Sequence, residues 1–243
     1  MIEKPLQLTG RFNEIAFILL VPLVTPSLGK WILELIPGIN YNEGLPLWGI
    51  FYYAVDFLAL YLWLKWTRNT LAGIGYHLKG LVSSLGWTLV FAAGLAICYL
   101  AGLGLCLGLE GRQETGRLLQ EVLDTGKPFT WLDVGRQALA PALVEEGFYR
   151  GVLYLFLRRY LRPAAAILLD AALFAGLHIL WGTTTVPVTQ FLGGVALAWS
   201  LEITGALASP ILLHGLGNFS LLALSATGSR WLPRRRKLRE KSV

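Results

Sequence analysis

Charged residues are scarce in this chain. Asp, Glu, Lys and Arg make up 15% of its 243 residues and hydrophobic residues 55%, whereas a soluble domain usually carries about a quarter charged residues. This composition argues against a soluble globular protein. Apolar runs of about 17 or more residues recur along the whole chain, which is typical of membrane-spanning α-helices. The alternating segments of about ten residues that build outer-membrane barrels are absent.

Cysteine and histidine are also rare. The two cysteines, Cys98 and Cys106, lie eight residues apart on one predicted helix and are poorly placed to form a disulfide. The formal net charge of +6 is compatible with nucleic acid binding, but in so apolar a chain contact of Lys and Arg with anionic lipid headgroups is the simpler explanation. We therefore expect membrane lipid, and no nucleic acid, as a partner.

The hydrophobic pattern predicts an all-α fold, a polytopic bundle of about seven transmembrane helices with six to eight as the range. The predicted spans cover residues 15–36, 46–64, 81–109, 132–157, 163–181, 187–203 and 210–226. Thr130 is predicted to cap the fourth helix and Ser209 the seventh, and Pro163 suits the first turn of the fifth.

The same pattern suggests three regions. Residues 1–131 hold the N-terminal helices and a polar connection with a short amphipathic stretch, 132–226 form a helical core, and 227–243 form a basic tail.

Two adjacent glutamates, Glu145 and Glu146, interrupt the fourth apolar segment. A carboxylate near the bilayer centre costs roughly 2.5–3.5 kcal/mol on insertion scales, so two of them require an explanation. Arg150 follows Glu146 by four residues and shares its helical face, whereas Glu145 points about 100° away, toward the face of Tyr149. Either Arg150 neutralises Glu146 and leaves Glu145 as a general base, or the group is a buried ion-pair network that sets the helix register.

Two further apolar helices each carry a histidine. Phe174 and His178 share a face of the fifth helix with Asp170, which lies two turns from His178 and is expected to pair with another helix or the interface. On the seventh helix, His214 and Asn218 lie one turn apart and could donate two hydrogen bonds toward one point, as an oxyanion requires. The structural alternative is that these side chains are satisfied core residues bonding between helices.

The polar residues form three ordered motifs. They are Glu145-Glu146-x-x-x-Arg150, Phe174-x-x-x-His178 and His214-x-x-x-Asn218. Together they resemble the CPBP family of intramembrane proteases, which includes the endopeptidase of prenylated CAAX proteins and bacterial proteins of bacteriocin processing or immunity. The resemblance covers residues 132–226 and implies a CAAX-endopeptidase-like helical core. One departure is Ile203, where relatives often have arginine.

The resemblance implies a division of roles. Glu145 and His178 would activate a water for attack on a peptide carbonyl, and His214 with Asn218 would stabilise the oxyanion. The implied supporting residues are Glu146, Arg150, Phe174 and Tyr149.

The sequence leaves the question of a cofactor open. The protein would use either no cofactor or one divalent metal such as zinc. The family has been described both as metal-dependent and as metal-independent. The chain lacks His-Glu-x-x-His, the spacing that places two ligands and a base on one helix. Glu145, His178 and His214 would nevertheless supply three protein ligands and an open position for water.

The leading interpretation is an intramembrane endopeptidase. We expect a multi-pass protein of the cell membrane, which in a bacterium is the cytoplasmic membrane. Its expected substrate is a membrane-associated peptide or protein, prenylated or leader-bearing. The alternatives are a non-catalytic scaffold or immunity protein of the same fold, and an ion-coupled transporter, since intramembrane Glu and His also build relays. Transporters of that kind often show internal repeats, and none is found here.

Overall fold

A computed structural model describes residues 16–17, 20, 46–109, 111, 130–180 and 187–231. Over these ranges the secondary structure is helical and contains no strand, so the predicted all-α class is confirmed. The first predicted span is almost wholly outside the described residues, as are the polar connection before Thr130 and the basic tail beyond Trp231.

Six helices are described. They are α1 (Pro46–Trp66), α2 (Leu81–Leu109), α3 (131–157), α4 (Pro163–Leu180), α5 (Pro187–Thr204) and α6 (Ala208–Trp231). Helix α4 packs along α5, and α6 packs against α2, α3 and α5. The predicted boundaries of the fifth and sixth spans agree with α4 and α5 to within a residue or two.

Helix α3 begins at the predicted cap. The Thr130 hydroxyl accepts a hydrogen bond from the Asp133 N–H, while the Asp133 carboxylate accepts one from the Thr130 N–H at 2.9 Å. This reciprocal capping box satisfies two donors that the first turn would otherwise leave unpaired. The predicted role of Thr130 is confirmed.

Two parts of α3 are π-helical, Gly135–Leu139 and Gly147–Tyr154. The first precedes Pro141, which has no N–H to donate within a helix. There the Ala140 N–H bonds the Gly135 carbonyl, five residues back, so the wider turn lies immediately before the proline. The second begins directly after Glu146. Such π segments are rare and frequent at functional sites, and the regular 3.6-residue period assumed from the sequence did not predict them.

The start of α6 corrects one prediction. The helix begins at Ala208, so Ser209 lies inside its first turn and is not the cap. Its hydroxyl is 3.3 Å from the Thr88 hydroxyl of α2, and its carbonyl accepts a bond from that same group. Because it lies against another helix, the Ser209 side chain serves helix packing. Pro210 still falls in the first turn, where a missing N–H costs nothing.

The main core lies between α1, α3, α4 and α5. Its largest buried side chains include Leu60, Trp63, Phe148 and Leu201. The connection between α1 and α2 also enters this core, because Ile74 in its 3₁₀ turn is fully buried.

That connection is held by backbone bonds as well as by packing. The Leu207 N–H donates to the Gly75 carbonyl, and Gly75 has a φ of 103°, in the left-handed region that favours glycine.

Helix α2 is apolar and largely uncovered. Val82 is 84% exposed, Leu89 68% and Leu100 67%. Exposure of such an apolar surface to water is unfavourable, whereas contact with lipid is not. Within the described ranges, the stretches Leu81–Gly102 and Ala208–Ala226 are long and apolar enough to cross a membrane. These two stretches do not confirm a count of about seven spans. Helix α3 is not one of these two stretches, and it carries three charged residues close together, Glu145, Glu146 and Arg150.

Gly147 allows close packing on α3. A Cβ at this position would meet the Tyr76 hydroxyl and, at 2.7 Å, a methyl group of Leu60. We expect Gly147→Ala to lower the thermal unfolding midpoint in detergent, because overpacking usually costs ~1–3 kcal/mol. Gly94→Ala on α2 is the control, since its Cβ would meet open space, and it should match or exceed the parent because alanine favours helices. Equal midpoints for Gly147→Ala and the parent would contradict the packing argument.

Candidate active site

A fully buried ion cluster joins α3 to α4. Arg150 Nη1 lies 3.2 Å from Glu146 Oε1, and Arg150 Nε lies 3.4 Å from Asp170 Oδ2. All three side chains are 0% exposed. The pair expected from the four-residue spacing of Glu146 and Arg150 is therefore present. Asp170, expected to pair with another helix, does so through the same guanidinium.

The guanidinium also reaches α5. Its Nη2 donates a hydrogen bond of 3.3 Å to the Gly194 carbonyl. A Cβ on Gly194 would lie 3.0 Å from Ala171 on α4 and 3.3 Å from Arg150 Nη2. Glycine at position 194 thus lets α4 and α5 approach closely where Arg150 binds both, a contact that sequence reasoning did not predict.

Aromatic rings cover the cluster. The Arg150 guanidinium carbon lies 4.4 Å from the centre of the Phe174 ring, within the range of a cation–π contact. The Tyr149 ring packs edge-on against Phe174 with centroids 5.0 Å apart. Tyr149 is buried, and its hydroxyl has no hydrogen-bond partner among the described residues. The two rings keep the cluster dry, which strengthens its electrostatic interactions.

His214 connects α6 to this cluster. Its Nδ1 lies 2.7 Å from Glu146 Oε1, the oxygen that Arg150 also contacts. A carboxylate can only accept, so Nδ1 carries the proton of this bond. With Glu146 and Asp170 both ionised, the cluster is neutral when His214 is an imidazolium. The cluster is equally neutral when Asp170 is protonated and His214 is a neutral imidazole. Only in the first state does the Nε2 of His214 also donate.

His178 is held by its own helix. Its Nδ1 lies 2.9 Å from the Phe174 carbonyl, which can only accept, so this nitrogen carries the hydrogen. In the neutral ring, Nε2 then holds the lone pair that a base requires. The Phe174 ring lies between the two histidines, with centroids 4.4 Å from His178 and 6.3 Å from His214.

Glu145 differs from its neighbour. It is half-buried, and its carboxylate forms no ion pair with any residue that the structure describes. Its hydrogen-bond donor there is the Tyr53 hydroxyl of α1, 3.3 Å from Oε1. Asn218 on α6 is also half-buried, and its side chain bonds no residue within the described ranges. Both groups therefore keep hydrogen-bonding capacity for a ligand.

Glu202 lies in a second ion pair, apart from this cluster. Its carboxylate takes two hydrogen bonds of 3.0 Å from Arg158 and one of 2.6 Å from Tyr154, which joins the end of α5 to the end of α3. Ile203, which departs from the motif pattern, is 40% exposed. An arginine is therefore not needed there to complete the core.

The geometry does not favour a zinc site. Over the described ranges, no three His, Cys, Asp or Glu side chains come together closely enough to hold a metal ion. Glu145, His178 and His214 do not converge as a ligand set. The Nδ1 atoms of both histidines bond protein oxygens.

These features define a helical membrane protein with a polar site in its interior, built mainly from α3, α4 and α6. Residues 127–220 match the family model described as Rce1-like, type II CAAX prenyl endopeptidase Rce1-like. This segment is therefore similar to the CAAX-protease (CPBP) family, a family of membrane proteases, and the predicted resemblance is confirmed. No curated protein and no solved structure matched the chain.

Removal of Arg150 tests the cluster as a structural unit. Arg150→Ala leaves Asp170 without its cation and Glu146 with His214 alone, and breaking a buried pair commonly costs ~3–5 kcal/mol. We expect lower folded yield and a lower unfolding midpoint in detergent, together with loss of activity. Arg159→Ala, at an exposed position, should change stability by less than ~1 kcal/mol. An abundant, stable but inactive Arg150→Ala protein would assign the arginine to the chemistry instead.

Proposed function

We propose that this protein is an intramembrane endopeptidase that hydrolyses a peptide bond through a water activated by Glu145 and His178. The observation that carries the proposal is the different environment of the two adjacent glutamates. Glu146 is fully buried and its Oε1 is bonded by both Arg150 and His214, whereas Glu145 is half-buried and without an ion-pair partner among the described residues. A carboxylate that is not held in an ion pair is available to act as a general base toward water.

The chemical steps follow from these environments. Glu145 accepts one proton from water as the water oxygen bonds the scissile carbonyl carbon, while the lone pair of His178 Nε2 accepts a hydrogen bond from the same water and orients it. The carbonyl oxygen becomes an oxyanion, which the Nε2–H of an imidazolium His214 and the amide of Asn218 stabilise. The intermediate collapses when the C–N bond breaks and the accepted proton passes to the leaving amine. The products are an amine and a carboxylic acid, which releases its proton to water and becomes a carboxylate.

The other motif residues support this machinery in the proposal. Glu146 keeps His214 oriented and offsets its positive charge, Arg150 holds Glu146 in position, and Phe174 and Tyr149 exclude water from the ion cluster. Residues 132–226 form the catalytic core. No metal takes part in any step, since the described side chains do not assemble a ligand set.

The proposed substrate is a membrane-associated peptide or protein, prenylated or leader-bearing, which reaches the site of a multi-pass protein in the cell membrane. The family match favours an enzyme over a non-catalytic scaffold or immunity protein of the same fold. Turnover of a farnesylated peptide ending in Cys-aliphatic-aliphatic-X, or of a leader peptide, by the purified full chain would distinguish the two. Activity that survives a strong chelator would support the metal-free mechanism.

The two glutamates should respond differently to the same substitution. Glu145→Gln is expected to keep the parent's unfolding midpoint and lower kcat by ~10²–10⁴-fold, the usual weight of general acid–base catalysis. Glu146→Gln should lower both stability and activity, because it weakens bonds to Arg150 and His214. Wild-type turnover by purified Glu145→Gln would refute the assignment of the base.

Asn218 tests the oxyanion contact separately. Asn218→Ala should lower kcat by ~10²–10³-fold, the cost of losing one oxyanion donor. Its stability should change little, since the side chain bonds no other described residue. Ser220→Ala is the control, because Ser220 is exposed on the same helix and, among the described residues, bonds only the Leu216 carbonyl of its own turn. Similar kcat values for the two variants would remove Asn218 from the mechanism.

A further inference from the structure

The N-terminal helix α1 lies outside the segment that matches the family, yet it contacts the site. The Tyr53 hydroxyl donates to Glu145 Oε1 across 3.3 Å and 92 residues of sequence. We propose that Tyr53 is a positioning residue that orients Glu145 for proton transfer. The inference rests on the proposed function and extends it to a part of the chain that the family match does not cover.

The chemistry of the pair supports this role. A phenol is a donor and an ionised carboxylate only accepts, so the bond occupies Oε1 and leaves the second oxygen, Oε2, as the acceptor for water in the proposed mechanism. Glu145 has no ion pair within the described ranges that would hold it otherwise, and a glutamate side chain has several rotatable bonds. At 3.3 Å the bond is long for an O–H···O contact, so its effect is to direct the carboxylate more than to bind it tightly.

Packing fixes the position of the hydroxyl. Tyr53, Phe57, Leu60 and Leu64 recur at the spacing of one helical face, and that face lies against α3, where Leu60 and Leu64 are buried. Further along α1, Trp63 lies in the same core. The helix that carries Tyr53 is therefore anchored about two to three turns beyond it.

A second tyrosine secures the same region of α3. The Tyr76 hydroxyl donates to the Leu143 carbonyl, and its ring packs edge-on against Phe57 with centroids 6.0 Å apart. Leu60 and Tyr76 both lie where a side chain on Gly147 would be. The absence of that side chain brings α1 close enough for Tyr53 to reach Glu145.

The test removes one oxygen atom. Tyr53→Phe keeps the ring, and Tyr61→Phe is the matched control, since Tyr61 is 39% exposed on the same helix. With the full chain in detergent and a farnesylated Cys-aliphatic-aliphatic-X peptide or a leader peptide as probe, we expect Tyr53→Phe to lower kcat about tenfold with KM unchanged. Tyr61→Phe should match the parent, and all three proteins should unfold at similar temperatures.

A second readout does not depend on activity. Dicyclohexylcarbodiimide forms a stable adduct with protonated carboxyl groups in apolar surroundings, and mass spectrometry can locate it. The Tyr53 hydroxyl occupies one of the two Glu145 oxygens, so Glu145 should label faster in Tyr53→Phe than in Tyr61→Phe or the parent. An unchanged kcat, or an unchanged labelling rate at Glu145, would overturn the positioning role. If the parent cleaves neither probe, the proposed function fails on those substrates, and the labelling comparison still decides whether Tyr53 acts on Glu145.

Discussion

The fold of the site depends on neutralising one buried guanidinium. Arg150 is fully buried and contacts Glu146 on its own helix, Asp170 on α4 and the Gly194 carbonyl on α5. Glu146 extends the cluster to α6 through His214. A charge in an apolar interior is costly unless it is paired and hydrogen-bonded. Four helices must therefore keep their positions together, because movement of any one would break an ion pair or a hydrogen bond of a buried charged group.

This constraint explains how two adjacent residues of one type can serve different purposes. Consecutive side chains on a helix point about 100° apart, so Glu146 enters the ion cluster and Glu145 faces Tyr53. The π-helical turns that begin at Gly147 lie directly after the pair. The cluster stabilises the helix, and in our proposal the neighbouring carboxylate uses that rigidity for chemistry.

The outer surface of the described helices is apolar, whereas the site in the interior is charged. The described surface of α2 presents leucines, valines and other apolar side chains with little covering, and charge is placed inside, among α3, α4 and α6. A polar interior with an apolar exterior is expected when the surrounding solvent is lipid. The family of membrane proteases matched by residues 127–220 agrees with this arrangement.

Local features were predictable from the sequence alone. The Thr130 cap, the ends of α4 and α5, and the Glu146–Arg150 pair depend on residues within about one turn of each other, and short-range helix geometry determines them. The motifs also identified the family. The sequence by itself did not determine the role of Ser209, the π segments, or the contacts of Glu145 with Tyr53 and Glu146 with His214. Those contacts join residues 92 and 68 positions apart. Only the tertiary packing of helices decides which distant side chains meet, because every helix offers several faces and burial selects one.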